Sequence, residues 1–260
     1  MPCAVNINMR RRFISLALSA LLPVRAIGQP VRLPAVRLSG LAPGGPLPAW
    51  LEPATFGDKA KPTEFDLVAD EGRTVLRARA RASASGLTRV LRVDPAEFPV
   101  LAWRWKALNL VTHGNLANKE GDDHALRLYV TFDLDPDQLS LADRMKMSLA
   151  RALWAAKLPT AALCYVWDGR APKGTIAPNP YTDRVRMVVA ESGSASLGRW
   201  VEHERDVAAD FRLAFGLPVP PVTSLVLSAD TDNTGESTEA YFGDIEFRRR
   251  AASFSPSRCM

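Results

Sequence analysis

Two short stretches concentrate the side chains that could do chemistry. Asn118-Lys119-Glu120-Gly121-Asp122-Asp123 sets one ammonium and three carboxylates around a glycine, just ahead of an alternating segment. Glu120, Asp122 and Asp123 are the candidates for acid–base work on a glycosidic bond, which needs two carboxyls facing one cleft. The same groups suit sugar hydroxyls or a metal, and a solvated hairpin loop explains them without any site. Asp230-Thr231-Asp232-Asn233-Thr234-Gly235 places hard oxygen donors at alternate positions, the donor type that calcium takes. Asp244 follows in the closing segment, so Asp230, Asp232, Asn233 and Asp244 are the metal candidates for a structural calcium. The loop lacks the distal glutamate of an EF-hand. An arginine such as Arg205, or a plain turn, answers the same crowding of carboxylates, and this reading is preferred. The expectation is that residues 230 and 244 meet at one end of an antiparallel hairpin.

A third group is spread over strands. Arg104, Arg127, Tyr129 and Arg186 share one parity of their segments, opposite mostly apolar partners. If their faces coincide they make a cation-rich sheet surface, and arginine pairs bidentately with carboxylates. An acidic sugar or other acidic polymer is then the expected partner, with Lys119, Glu120 and Asp122 at the rim. On this reading Arg127 faces solvent, and Arg127→Ala leaves stability almost unchanged. Trp103, Trp105 and Trp167 alternate with apolar neighbours and are expected in the core rather than on sugar rings.

The elements that must position these residues are short. Period-2 alternation recurs over 74–82, 87–93, 99–108, 124–133, 163–167, 185–190, 224–230 and 240–247, with turn residues between. Leu126, Leu128, Val130 and Phe132 mark the core side of the fourth segment. Eight or more such segments predict a mainly β fold, a jelly-roll-like antiparallel β-sandwich with one or two short helices inserted. One helix is expected over 140–158, with Leu141, Met145, Leu149 and Leu153 on one stripe; packing across the sandwich is the favoured reading. Trp154 and flanking cations give the alternative of an interfacial membrane helix. A second helix is expected to start near Asp206 and stop at Gly216. Residues 29–64 are rich in Pro, Gly and Ala and predict an extended lead-in; 65–248 form the sandwich, and 249–260 a disordered tail.

Residues 10–28, RRRFISLALSALLPVRAIG, carry three arginines ahead of an apolar run too short to span a bilayer. That is the pattern of a signal peptide over 1–28, with Arg10-Arg11-x-Phe13-Ile14 similar to a twin-arginine leader. Export to the periplasm or medium follows, with a mature start near Ile27 or Gln29. The formal charge of +5 is then misleading, because the leader holds four arginines and no acid, leaving 29 basic against 28 acidic residues. A nucleic-acid partner is not expected at such a balance. Three cysteines, Cys3, Cys164 and Cys259, make no disulfide framework, although Cys164 and Cys259 could pair. No phosphate loop, G-x-S-x-G elbow or H-E-x-x-H is present.

The segments KEGDDHALRLYVTFD, LCYVWDG, NPYTDRVRMVVAESG, W-x-x-x-x-RDVAADFRLAFG and DTDNTGESTEAYFGDIEF, in that order from about Phe65 to Phe247, resemble the bacterial family named domain of unknown function 3047. His124 and Ala125 depart slightly from its pattern. The resemblance brings no activity; it implies that the clusters around Asp122 and Asp232 carry a shared role. The closing strand, Ala240–Phe247 in AYFGDIEF, is distantly similar to that of carbohydrate-binding jelly rolls. Three functions stay open: an exported module binding a glycan or other polar polymer, a glycan-cleaving enzyme using a loop carboxylate pair, and an envelope structural protein.

Overall fold

The computed structural model describes residues 31–56, 60–134 and 160–250. The expected leader, the helix over 140–158 with its membrane contact, Cys259 and the tail after 250 lie outside the described residues. In chain order the elements are β1 (Arg32–Val36), β2 (Glu52–Thr55), β3 (Glu64–Asp70), β4 (Arg73–Arg81), β5 (Ala84–Val93), β6 (Val100–Ala107) and β7 (Arg127–Phe132). They continue with β8 (Ala161–Asp168), β9 (Ile176–Asn179), β10 (Thr182–Ser192), β11 (Val201–Asp206), helix α1 (Val207–Phe215), β12 (Val222–Asp230) and β13 (Ser237–Arg248). The described residues are mainly β and form two sheets in a sandwich, with no closed barrel among them.

One sheet runs β11-β6-β13-β4-β3, with β1 also on β13; the other runs β2-β5-β12-β7-β8-β10-β9. Pairing is antiparallel except between β8 and β10, which are parallel. Between the sheets sit Trp103, Trp105, Trp167, Phe132, Phe242 and Phe247, all buried, as alternation predicted for the tryptophans. Leu126, Leu128, Val130 and Phe132 point into this core. The apolar side of every alternating strand meets its counterpart in the other sheet, which removes it from water at about 25 cal/mol per Å².

The lead-in is more regular than its composition suggests. It supplies β1 and β2, each containing a proline and each lying at a margin of its sheet, where a missing N–H breaks no ladder. The β3–β4 hairpin turns on Glu71 and Gly72, both at positive φ (48° and 74°), the two-residue form whose twist suits antiparallel strands. Helix α1 begins and ends where its caps dictate: Asp206 accepts from the Ala209 N–H, and Gly216 takes the left-handed conformation. It closes one end of the core, with Phe211 against Phe132 at 4.6 Å between centroids.

One topological expectation fails. β12 and β13 are consecutive, yet they lie in different sheets, so residues 230 and 244 share no hairpin end. Asp244 instead accepts from the N–H groups of Leu38 and Ser39 at 2.7 and 2.9 Å and from the Ser39 hydroxyl, fixing the turn after β1. Arg205 is equally distant in role: it grips Asp210 through Nε and Nη2 at 2.9 and 2.6 Å.

Candidate functional site

The outer face of the seven-stranded sheet carries a cleft of about 680 Å³. Strand register sets its floor. Thr88, Val226, Tyr129 and Cys164 form one row across β5, β12, β7 and β8, and Gly86, Ser228, Arg127 and Val166 form the next. Small residues in these rows leave depth. Phe56 lies over the row at Gly86, where a Cβ would come 2.8 Å from Val226 Cγ1 and 3.3 Å from the Phe56 ring, so any side chain there must push its neighbours aside. Phe56 and Tyr129 make one wall, with centroids 6.0 Å apart. Tyr181, in the turn between β9 and β10, makes part of the rim.

The polar end is built from both acidic stretches, which the fold brings together. A short 3-10 turn at Lys119–Gly121 is capped by the Asn118 side chain, which accepts from the Gly121 N–H at 2.9 Å. This turn delivers Asp122 and Asp123 to the loop after β12. The Asp123 carboxylate accepts from the N–H of Thr234 at 2.6 Å and from the side chain of Asn233 at 3.2 Å. Tyr181 donates to Asn233 Oδ1 at 2.8 Å, and Asn179 donates to Asp122 Oδ2 at 2.9 Å. A clamp therefore ties the end of β9, the turn into β10, the 118–123 turn and the 230–235 loop to one another.

Arg127 is the hub beneath this clamp. Its side chain is only 1% exposed. Nε donates to Asp230 Oδ1 at 2.7 Å, and Nη2 donates to Asp122 Oδ1 at 3.1 Å and to the Asp122 carbonyl. Nη1 reaches the Tyr129 hydroxyl at 3.4 Å. Burial pushes the Asp230 carboxyl up to about 7, against the pull of Arg127. Burial also holds the Tyr129 phenol well above its ordinary range. His124 packs alongside, with Nδ1 3.6 Å from Asp168 Oδ2; burial and then the Arg127 charge hold its imidazole well below the usual range, so it is neutral. Ligand oxygens of Asp123, Asp230 and Asp232 all lie within 4.8 Å of one another. Asp123 and Asp230 already spend oxygens on the bonds just described, and Asp232 is the exposed member.

The model of one family matches residues 48–246, a span that includes the whole cleft. The chain belongs to the family described as Protein of unknown function (DUF3047). No curated protein matches it. Among solved structures, the glycoside hydrolase domain of Endo-D from Streptococcus pneumoniae R6 is similar at 9% identity and a TM-score of 0.33. That alignment covers 73% of this chain and 20% of the other, so the chain spans about a fifth of its length, and a likeness this slight assigns neither fold nor activity.

In this DUF3047 protein the residues expected on one cation-rich face are dispersed. Arg127 and Tyr129 share the cleft, but Arg127 is buried and paired rather than solvent-facing. Arg104 is on the other sheet, its guanidinium 4.3 Å over the Trp200 ring. Arg186 points to the opposite side of its own sheet, donating to the Ala214 carbonyl at 3.1 Å and lying over Phe215. Lys119 stands at the rim with Nζ 5.2 Å over the Tyr181 ring. Glu120 is exposed on the 3-10 turn and does not line the cleft. Asp122, Asp230, Asp232 and Asn233 do line it, whereas Asp123 lies buried behind them. Sequence reasoning passed over Phe56, Asn179 and Tyr181. The last two sit in the segment NPYTDRVRMVVAESG, whose Asn-Pro-Tyr start reads as a turn and gives no sign of which loops it will meet. Cys164 is a buried free thiol under the cleft floor, and burial raises it to about 12.

Proposed function

We propose that this protein is an exported module that binds a glycan segment in the cleft over β5, β12, β7 and β8. What supports the reading is one juxtaposition: exposed rings of Phe56 and Tyr181 stand beside a rigid polar floor of Asp122, Asn179, Asp232 and Asn233. Sugar rings present apolar faces and hydroxyl edges, and a cleft of about 680 Å³ with aromatic walls and a few fixed polar groups suits both. The clamp holds the floor before any ligand arrives, so little ordering entropy is lost on binding. Hydrolysis is less well supported, because Asp122 and Asp230 are both tied to Arg127 while acid–base cleavage needs two carboxyls in separate roles.

A glycan array probed with the purified protein tests this. Retention of a defined glycan class, weakened about tenfold in Phe56→Ala and in Tyr181→Ala while both variants still fold cooperatively, is the expected result. Absence of retention of any glycan overturns the proposal.

A further inference from the structure

Resting on that reading, we infer that the glycan bound in this cleft carries a protonated amine, so that the ligand class is an amino sugar with its nitrogen free rather than acylated. This reverses the acidic partner that the arginine parity suggests.

Three observations carry it. The first is the sign of the lining. Asp122 and Asp232 face the cleft as carboxylates, Asp230 beside them is mostly protonated at pH 6, Arg127 is the one cation among the described lining residues, and Asp123 adds a third carboxylate close behind. The second is that this one cation is spent. Nε and Nη2 of Arg127 are engaged by Asp230 and by Asp122, Nη1 leans on Tyr129, and the neutral His124 beside it adds no charge. An incoming carboxylate would have to displace the Asp122 or Asp230 carboxyl group from a buried guanidinium. An incoming ammonium displaces nothing. The third is that the rim already holds an ammonium: Lys119 Nζ sits 5.2 Å over the Tyr181 ring, next to these acids. A ring face beside carboxylates attracts a cation through its quadrupole, and the cleft walls concentrate the negative potential. The aromatic wall explains why the cation should come on a ring and not as a bare ion, since Phe56 and Tyr129 offer a metal no ligand.

Titration calorimetry of the full chain at pH 6, in EDTA, with three tetrasaccharides decides the matter: a glucosamine tetramer, its N-acetylated form and a galacturonate tetramer. The expected result is at least tenfold tighter binding of the free amine than of the acetylated form, with the uronate weakest. In Asp232→Asn, an exposed change that leaves the Arg127 pairs intact, the ratio of free-amine to acetylated binding should fall severalfold. Equal binding of the aminated and acetylated tetramers, or a preference for the uronate, overturns the inference and leaves the glycan reading standing. A preference that appears only when calcium replaces EDTA overturns it in favour of a bridging cation. Failure of all three to bind, joined to an empty glycan array, overturns the glycan reading and this inference with it.

Discussion

The two outer faces of the sandwich use the same residue in opposite ways. On the face of β3 and β4, Arg77 pairs with Asp66 through Nε and Nη2 at 2.9 and 2.5 Å, and Arg79 reaches Glu64 at 3.2 Å. Those side chains are between a quarter and a half exposed. On the other face Arg127 also meets two carboxylates at similar distances, but under loops that exclude water. Distances alone make the pairs look alike. Burial separates them, because an exposed pair gains little over its hydrated partners, whereas a buried charge left alone has no solvent to return to.

The largest expected effect follows. Arg127→Ala leaves Asp122 and Asp230 facing each other without their cation and should cost about 3–5 kcal/mol, while Arg77→Ala should cost about 1 kcal/mol or less. Urea midpoints of the two variants measure it. Equal losses would mean that the loops over Arg127 admit water and that the two faces do not differ.

Titration sharpens the contrast, because the acids on the two faces are shifted in opposite directions. Hydrogen bonding to Arg77 lowers the Asp66 carboxyl, so its contribution is present at neutral pH and is lost as pH falls through its folded value. Asp230 rises from 3.8 to about 7, so the folded state holds a proton that the unfolded chain has released. Stability from Asp230 is therefore greatest below pH 4 and falls as pH rises from about 4 to 7, by up to roughly 4 kcal/mol. Asp230→Asn should flatten that stretch of the stability–pH curve whatever it does to the absolute level; Asp66→Asn should leave it unchanged. A wild-type curve that rises steadily from pH 4 to 7 and keeps its shape in Asp230→Asn would refute the assignment.

How far the sequence announced this difference depends on which relation is asked of it. Alternation assigned sides correctly within a strand: Leu128 is fully buried between the sheets, and Arg127 and Tyr129 lie on the other side. It cannot say what covers that other side. The loops bearing Asn118–Asp123 and Asp230–Gly235 do so through contacts more than a hundred residues apart, such as the Thr234 N–H on Asp123. Parity also compares nothing between strands. Arg104, Arg127 and Arg186 looked equivalent until strand order put them on different sheets or sides. β8 shows the same limit, since all eight of its residues are buried and no alternation survives for a strand covered on both faces. Helix α1, in contrast, was legible at both ends because its caps are local chemistry.

Two glycines compare the faces at smaller scale. A Cβ at Gly86 meets Val226 Cγ1 at 2.8 Å and the Leu227 carbonyl at 3.0 Å, one a packed side chain and the other backbone. A Cβ at Gly243, on the opposite sheet, meets only the Arg104 side chain, at 2.5 Å from Cγ. The Arg104 contact begins at Cγ, so that side chain must swing off Trp200 to make room, whereas the sheet backbone beside Gly86 has no such way out. Gly86→Ala should cost about 1–3 kcal/mol and should narrow the cleft as well, weakening ligand binding. Gly243→Ala, at a buried position where only the Arg104 side chain stands in the way, should cost about 1 kcal/mol, less than Gly86→Ala. Thermal melts of the two variants rank them, and the reverse order would show that the Phe56 wall yields more easily than the Arg104 stack.

The smallest effect expected is that of calcium, and it asks whether the acidic end of the cleft is held by protein donors or by a metal. Calcium takes six to eight oxygens, several of them from carboxylates free to turn toward it. Here Asp123 accepts from the backbone of Thr234 and from Asn233, Asp230 accepts from Arg127 and from the His124 N–H, and Asp244 is committed to the turn at Leu38 and Ser39. Of the four metal candidates Asp230 keeps only Oδ2 and Asp232 its carboxylate on the cleft side, whereas Asn233 Oδ1 already accepts from Tyr181, which leaves too few oxygens for calcium. A cation entering there would break bonds to N–H donors and stand close to the guanidinium of Arg127. A metal that binds only the folded chain raises its stability by RT ln(1 + [L]/Kd), so at millimolar calcium a site of micromolar Kd adds about 4 kcal/mol, several degrees of melting temperature. Melting curves in millimolar calcium and in EDTA should instead coincide. In Arg127→Ala the balance changes: the same carboxylates lose their cation, and added calcium should then recover part of the lost stability. A calcium shift in the wild type, or none in Arg127→Ala, would each show that the guanidinium is not what balances these acids.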